Sequence, residues 1–222
     1  MKTPLQLLSA TVLLATGLSA SAQSAGTWIG RVGVTEITPQ VTSGNMTAPS
    51  FLLTKTDVGA NSQLSGGLTY MVTNNISIDV PVAMPFKHKL YGAGALNGAG
   101  QIGETKALPL TVFGQYRLFE PTAIFRPYAG LGLTYAYFFK EEGNGTLTAL
   151  TNLVAPPTRL SIESKFALTP QIGFTYALTH KWSLDGSFSK TYLKTRTTLS
   201  TGQTIDTTLN PHTFSLGLGM KF

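Results

Sequence analysis

The sequence predicts an all-β protein, an eight-stranded antiparallel up-and-down transmembrane β-barrel with short periplasmic turns and long extracellular loops. Three observations carry that reading. Charged residues make up 12% of the 222-residue chain, about half of the roughly 25% usual in soluble domains. From Trp28 onward apolar residues recur at every second position, the period of a strand whose two faces meet different surroundings. The connections between these segments alternate between long and short along the whole chain, as they do in outer-membrane barrels. The 42% hydrophobic content is too low for a helical membrane bundle, which needs repeated runs of about 20 apolar residues.

The first segment is an export signal. Lys2 supplies a positive start, Leu5 to Leu18 form an apolar stretch too short to cross a bilayer, and Ala20-Ser21-Ala22 gives a small-x-small cleavage site. Residues 1–22 are therefore expected to be removed, leaving a barrel over 23–222. The strands follow in order. Trp28, Val32 and Val34 mark the outward face of the first, and Leu64, Leu68, Tyr70 and Val72 that of the second. The third carries Ile76, Ile78, Val80, Val82, Met84 and Phe86 on one face, and the fourth Leu108, Leu110, Val112, Tyr116 and Leu118. The fifth carries Leu131, Leu133, Tyr135 and Tyr137, and the sixth Phe166, Leu168, Ile172, Phe174 and Tyr176. Trp182, Leu184 and Phe188, then Phe214, Leu216, Leu218, Met220 and Phe222, complete the set.

The opposite faces are rich in Ser, Thr, Gly and Gln, the arrangement of a polar lumen inside a lipid-facing wall. Long connections fall at 38–60, 87–106, 140–158 and 198–209, and short ones at 73–75, 119–125 and 179–181. Aromatics near strand ends, among them Trp28, Phe86, Tyr137 and Trp182, suit interfacial anchors. An unpaired edge in hydrocarbon has no water to bond to, so the last strand is expected to close on the first near Trp28.

Several segments resemble the OmpW family of small outer-membrane barrels. They are Met84-Pro85-Phe86-Lys87-His88-Lys89-Leu90, Ala107-Leu108-Pro109-Leu110-Thr111, Phe125-Arg126-Pro127-Tyr128-Ala129-Gly130-Leu131-Gly132 and the terminal Gly219-Met220-Lys221-Phe222. The resemblance implies passage of small hydrophobic molecules through the bacterial outer membrane. It also implies that the C-terminal Phe222 is read by the outer-membrane assembly machinery.

An eight-stranded barrel encloses room for side chains or one small ligand, so a wide aqueous pore is excluded. Parity points Arg31, Asp79, Arg117, Arg126, Lys165 and Asp185 inward, where charges need partners. They are expected to form an ion-pair network that fills the periplasmic half. A solute entering from outside must then leave sideways. Pro81 and Pro85 in the third strand and Pro109 in the fourth remove ladder donors, and with Phe86 they mark a lateral gate.

Phe51 and Leu52 in the first long loop, Phe113, Tyr128 and Phe138 on inward positions, and Leu150 in the third loop are candidates for an apolar vestibule. Lys87, Lys89, Lys106, Lys190, Lys194 and Arg196 fall near the outer rim, where lipopolysaccharide phosphates would explain the net charge of +6 better than nucleic acid. No lysine- or arginine-rich run supports nucleic acid as a partner.

Two other classes compete with transport. One is a structural or adhesive barrel that passes nothing. The other is a lipid A-modifying enzyme, which requires a Ser activated by a His. Of the three His, His180 falls in a periplasmic turn, His212 points outward, and His88 at the outer rim has no Ser beside it in sequence. No catalytic residue is assigned, and with no Cys and no metal-ligating cluster, no cofactor or metal is expected.

Overall fold

A computed structural model describes residues 23–49, 53–151 and 157–222. The expected signal peptide lies outside the described residues, as do Phe51 and Leu52. In chain order the strands are β1 Trp28–Thr38, β2 Thr42–Ser43, β3 Thr54–Val58, β4 Asn61–Met71, β5 Ile76–Ala83, β6 Phe86–Gly94, β7 Gln101–Arg117 and β8 Phe125–Gly143. A short helix α1, Gly145–Thr151, precedes β9 Leu160–Ile162, β10 Lys165–Ala177, β11 Trp182–Lys190, β12 Lys194–Leu199, β13 Thr204–Thr208 and β14 His212–Lys221.

Eight of these close into the barrel. Around it run β1, β4, β5, β7, β8, β10, β11 and β14, each antiparallel to its neighbours. The seam is β14 on β1, from Ile29 opposite Lys221 to Thr38 opposite His212. Backbone bonds of 3.0 and 3.3 Å between Trp28 and Phe222 finish it at the periplasmic edge, where the sequence places the closure.

The two faces divide by chemistry. Val32, Val34, Leu64, Val82, Leu110, Leu131, Phe166, Ile172 and Phe214 are exposed on the outside, whereas Thr69, Ser77, Gln115, Thr134 and Thr175 are buried inside. A wall with greasy residues out and hydroxyls in is stable only against lipid. Trp28 packs on Tyr70 at 4.7 Å near the periplasmic edge, and Tyr137 on Phe139 at 5.4 Å near the outer one. These are the two interfacial levels.

Above the outer level the wall continues. Residues 87–106, expected as a connection, are β6 and the beginning of β7, paired from Phe86 opposite Ala107 to Tyr91 opposite Gln101. β3 adds to β6, and β12 with β13, β9 and β2 forms a second sheet. The polarity reverses there, with Lys87 and Lys89 exposed and His88 and Leu90 buried. Outside the membrane the strands face water, so they take the ordinary apolar-in arrangement. Leu90, Ile102, Leu147, Leu160, Ile162 and Leu199 form the resulting core.

Phe86 differs from its expected place. Asp79 pairs with Phe113, but Phe86 pairs with Ala107, so the sum of partner numbers rises from 192 to 193 across the stretch between them. Met84 and Pro85 are both exposed, and this extra residue turns Phe86 inward, where it is fully buried. It is a lumen residue, not an interfacial anchor.

Candidate functional site

The lower lumen is filled by side chains whose room comes from glycine. Arg31 in β1 faces Gly67 and Gly219 on its two neighbouring strands, and a Cβ at Gly67 would fall 2.8 Å from its Nη2. Gly132 opposes Phe113 and Gly173 opposes Tyr128 in the same way. Arg31 donates to Asp79 Oδ1 at 2.6 Å and to Asp185 Oδ1 at 3.3 Å, bridging β5 and β11. Thr69 donates to Asp79 at 2.7 Å, Tyr128 to Asp185 Oδ1 at 3.2 Å, and Thr175 to Asp185 Oδ2 at 3.0 Å.

One level lower, Arg117 donates to Thr175 at 2.8 Å, Gln115 at 3.0 Å and Ser77 at 3.1 Å, with its guanidinium 4.7 Å from the centre of the Tyr128 ring. Arg126 closes the periplasmic mouth on the carbonyls of Asn74 at 2.7 Å and Gln23 at 3.1 Å. Beneath these layers a cavity of only about 20 Å³ remains, lined in part by Gln23, Arg126 and Thr175. Five of the six predicted network residues thus meet in one plug. Lys165 is the exception. It stands at the start of β10 opposite Ala136, half-exposed, and pairs with Glu163 at 3.1 Å. Parity predicted an inward direction but not that the strand has already risen above the membrane there.

Over the plug lie two stacked chambers. The middle one, about 100 Å³, has Arg31, Asp79 and Asp185 among its lining residues and is walled by Thr35, Ser65, Thr111, Thr169, Ser187, Ser189 and Ser215. Their hydroxyls bond in two rows. Thr35 joins Ser65 and Ser215, each at 2.8 Å. Thr111, Thr134, Thr169 and Thr191 form the other row, at 2.8, 2.7 and 3.1 Å. The upper chamber, about 110 Å³, is lined by Val58, Leu90, Phe138, Leu147, Leu193 and Leu209, with His88 the one titratable group among its described lining residues. Ile37, Pro109, Thr191 and Thr213 line both, so the two adjoin.

The vestibule candidates therefore separate. Phe138 lines the upper chamber and Leu150 packs against its aliphatic core. Phe113 lies lower, on the middle chamber, and Tyr128 belongs to the plug. Sequence parity set the inward direction of both but not their height. The hydroxyl rows and the position of His88 inside the chamber were missed as site features. Alternation of Thr and Ser on the inward face of neighbouring strands was the available signal for the rows.

The wall is incomplete beside the middle chamber. Cross-strand pairing of β5 with β7 ends at Asp79 opposite Phe113 and resumes only in β6, at Phe86 opposite Ala107. Pro81, Pro85 and Pro109 all fall in or at this unpaired stretch, and Pro81, Ala83, Phe86 and Pro109 border the chamber. Val82 borders it too and is 60% exposed to the outside, but so are Val32 at 66% and Leu216 at 53% on the paired β1–β14 side, so what sets this flank apart is the missing cross-strand pairing.

At the outer rim Lys87 pairs with Glu104 at 2.7 Å and Arg196 with Asp206 at 2.7 Å. The Arg196 guanidinium holds the Asp206 carboxyl below its usual range. Lys190 sits 5.4 Å from the centre of the Tyr192 ring.

Comparison with known proteins matches this architecture. The OmpW family model covers residues 24–222. Outer membrane protein W of Vibrio cholerae is 36% identical over 207 residues, spanning 90% of this chain and 91% of that protein. Outer membrane protein AlkL of Ectopseudomonas oleovorans is 24% identical over 200 residues, spanning 89% and 82%. The crystal structure of the outer membrane protein OprG from Pseudomonas aeruginosa has a TM-score of 0.82 and 25% identity, over 91% of this chain and 98% of that one. The chain belongs to the OmpW family and is an integral protein of the bacterial outer membrane.

Proposed function

We propose that this barrel is a passive channel for small hydrophobic molecules, which bind in the apolar upper chamber and leave sideways through the unpaired stretch between β5 and β7. The observation that carries the reading is that the plugged floor and the incomplete wall border the same chamber. A solute descending from the upper chamber meets buried ion pairs below and, at the side, the stretch around Val82 where β5 and β7 are not paired. Missing N–H groups at Pro81, Pro85 and Pro109 weaken the wall there. A merely structural barrel has no need of either chamber. A lipid A hydrolase would need a Ser against the Nε2 of its His, and the one hydrogen bond of the His88 ring among the described residues is from Nδ1 to the Gly59 carbonyl at 2.8 Å.

On the same reading Lys89, Lys106, Lys190 and Lys194 meet phosphates of the outer leaflet. Lys87 and Arg196 are already engaged by carboxylates and contribute less. Phe222, exposed at the end of the chain, is the signal offered to the assembly machinery.

The chain has no Cys, so a Val82→Cys, Leu110→Cys pair can be bridged across the gap with a short bis-maleimide. Bridging is expected to cut uptake of a long-chain alkane into proteoliposomes to the level of protein-free vesicles, while a monofunctional maleimide leaves it largely intact. Unchanged uptake after bridging would sink the lateral exit. Replacing Pro81 and Pro85 with Val, which restores two ladder donors, should slow the same uptake.

A further inference from the structure

We propose that the middle chamber is a head-group subsite, and that the solutes this barrel favours are amphiphiles whose polar end donates hydrogen bonds and carries no negative charge. This rests on the channel reading and names its substrate class. The two chambers differ in chemistry in a way that a plain hydrocarbon does not require. Both have Thr in their lining, but the upper one is otherwise mainly apolar, whereas the middle one adds two carboxylates and one guanidinium. They adjoin at Ile37, Pro109, Thr191 and Thr213, which on this proposal lets one molecule lie across both, tail above and head below.

Asp79 supplies the second observation. It is fully buried and borders the middle chamber, and both of its partners, Arg31 and Thr69, bond to Oδ1. Its Oδ2 is buried and has no hydrogen-bond partner among the described residues. An unmatched buried carboxylate oxygen is costly and selects for a donor. A hydroxyl or ammonium head supplies one if the buried carboxyl turns toward the chamber, while an alkane cannot, and a carboxylate head adds a third negative group where Arg31 is already shared between two. The rows Ser65–Thr35–Ser215 and Thr111–Thr134–Thr169–Thr191 present both donors and acceptors along the wall above Asp79. A polar head is thus hydrogen-bonded as it descends. Asp79 is also the last paired residue before the wall opens, so a head held there lies beside the exit.

The test uses the full mature chain in lipid nanodiscs and an alkanol carrying a photoreactive diazirine next to its hydroxyl. Labelling is competed by an n-alkane, a 1-alkanol, a 1-alkylamine and a carboxylate of one chain length. Labels are expected on middle-chamber residues. The alkanol and alkylamine should compete roughly tenfold or more better than the alkane, the size of one hydrogen bond to a charged group, and the carboxylate worst. Asp79→Asn should bring the alkylamine close to the alkane. Because Asp79→Asn also loosens the plug, Thr35→Val, which keeps the Arg31 ion pairs, serves as the second variant. It should lower the alkanol preference about threefold, the loss of a neutral hydrogen bond. Equal competition by alkane and alkanol, or best competition by the carboxylate, overturns the subsite and leaves the channel reading standing. Lumen labelling that no competitor displaces overturns the channel reading as well.

Discussion

His88 occupies an unusual place for a titratable side chain, inside an apolar chamber above the membrane level. Its ring stacks near Phe86, with centroids 6.3 Å apart, and its Nδ1 is 2.8 Å from the Gly59 carbonyl oxygen. Burial pushes the imidazole below its ordinary value of 6.5, and the bond to Gly59 opposes this only in part. The neutral ring is therefore the folded form at neutral pH. Below about pH 6.5 the unfolded chain takes up the proton more readily than the folded one, so stability falls with falling pH until the folded group protonates too. Protonation also places a charge in the chamber proposed to hold an apolar tail. Alkane binding is expected to weaken once pH falls below 6.5 and the buried ring takes up a proton, and His88→Gln should flatten that profile. Titration of photoprobe labelling to below that pH checks it, and a flat wild-type profile would refute it.

At the scale of elements, two inner glycines set how closely β1 and β14 wrap. Gly33 and Gly217 are cross-strand partners, and a Cβ at Gly33 would overlap the Leu216 carbonyl. Gly33→Ala must therefore push the seam apart, a cost of about 1–3 kcal/mol typical of overpacking. Gly114 in β7 has nothing within 4 Å of its virtual Cβ, so Gly114→Ala is the matched control and should be near neutral. Urea unfolding in detergent, followed by tryptophan fluorescence, distinguishes the two; equal midpoints would show that the seam is not tight. The eight barrel segments and their closure were legible because lipid imposes one rule on every strand at membrane depth. The extracellular part was not. Above the aromatic level the rule reverses, so the alternation of Lys87, His88, Lys89 and Leu90 no longer carries the lipid signature and the segment read as a loop. Phe86 was misplaced for a related reason. A one-residue bulge at Met84 and Pro85 inverts parity without changing composition, and no local pattern announces it. The charges at Arg31, Asp79, Arg117, Arg126 and Asp185 lie at membrane depth, where parity holds, and Lys165 lies beyond it.

For the whole molecule, the route open to a solute depends on where the lumen is blocked. An eight-stranded barrel has an interior that side chains can fill, and here the filling is concentrated at one end. Arg117 bonds to Ser77, Gln115 and Thr175 from three strands and lies beneath the Arg31 ion pairs, while Arg126 seals the mouth through backbone carbonyls. If this plug is what makes the exit lateral, removing it should create a second, axial route. In Arg117→Ser, Arg126→Ser the hydroxyls and amides left behind are short and polar, so the middle chamber and the small lower cavity should join through water. The wild-type barrel in planar bilayers is expected to exclude a small sugar while passing the alkane, and the double variant to admit the sugar with alkane uptake little changed. The ion pairs of Arg31 with Asp79 and Asp185 remain in that variant, which avoids the roughly 3–5 kcal/mol lost when one partner of a buried pair is removed. Heat-shifted migration on a gel confirms that the barrel is folded before permeation is read. A wild-type barrel that already admits the sugar would deprive the side exit of its cause. A folded double variant that still excludes it would place the barrier higher, at the Arg31 level itself.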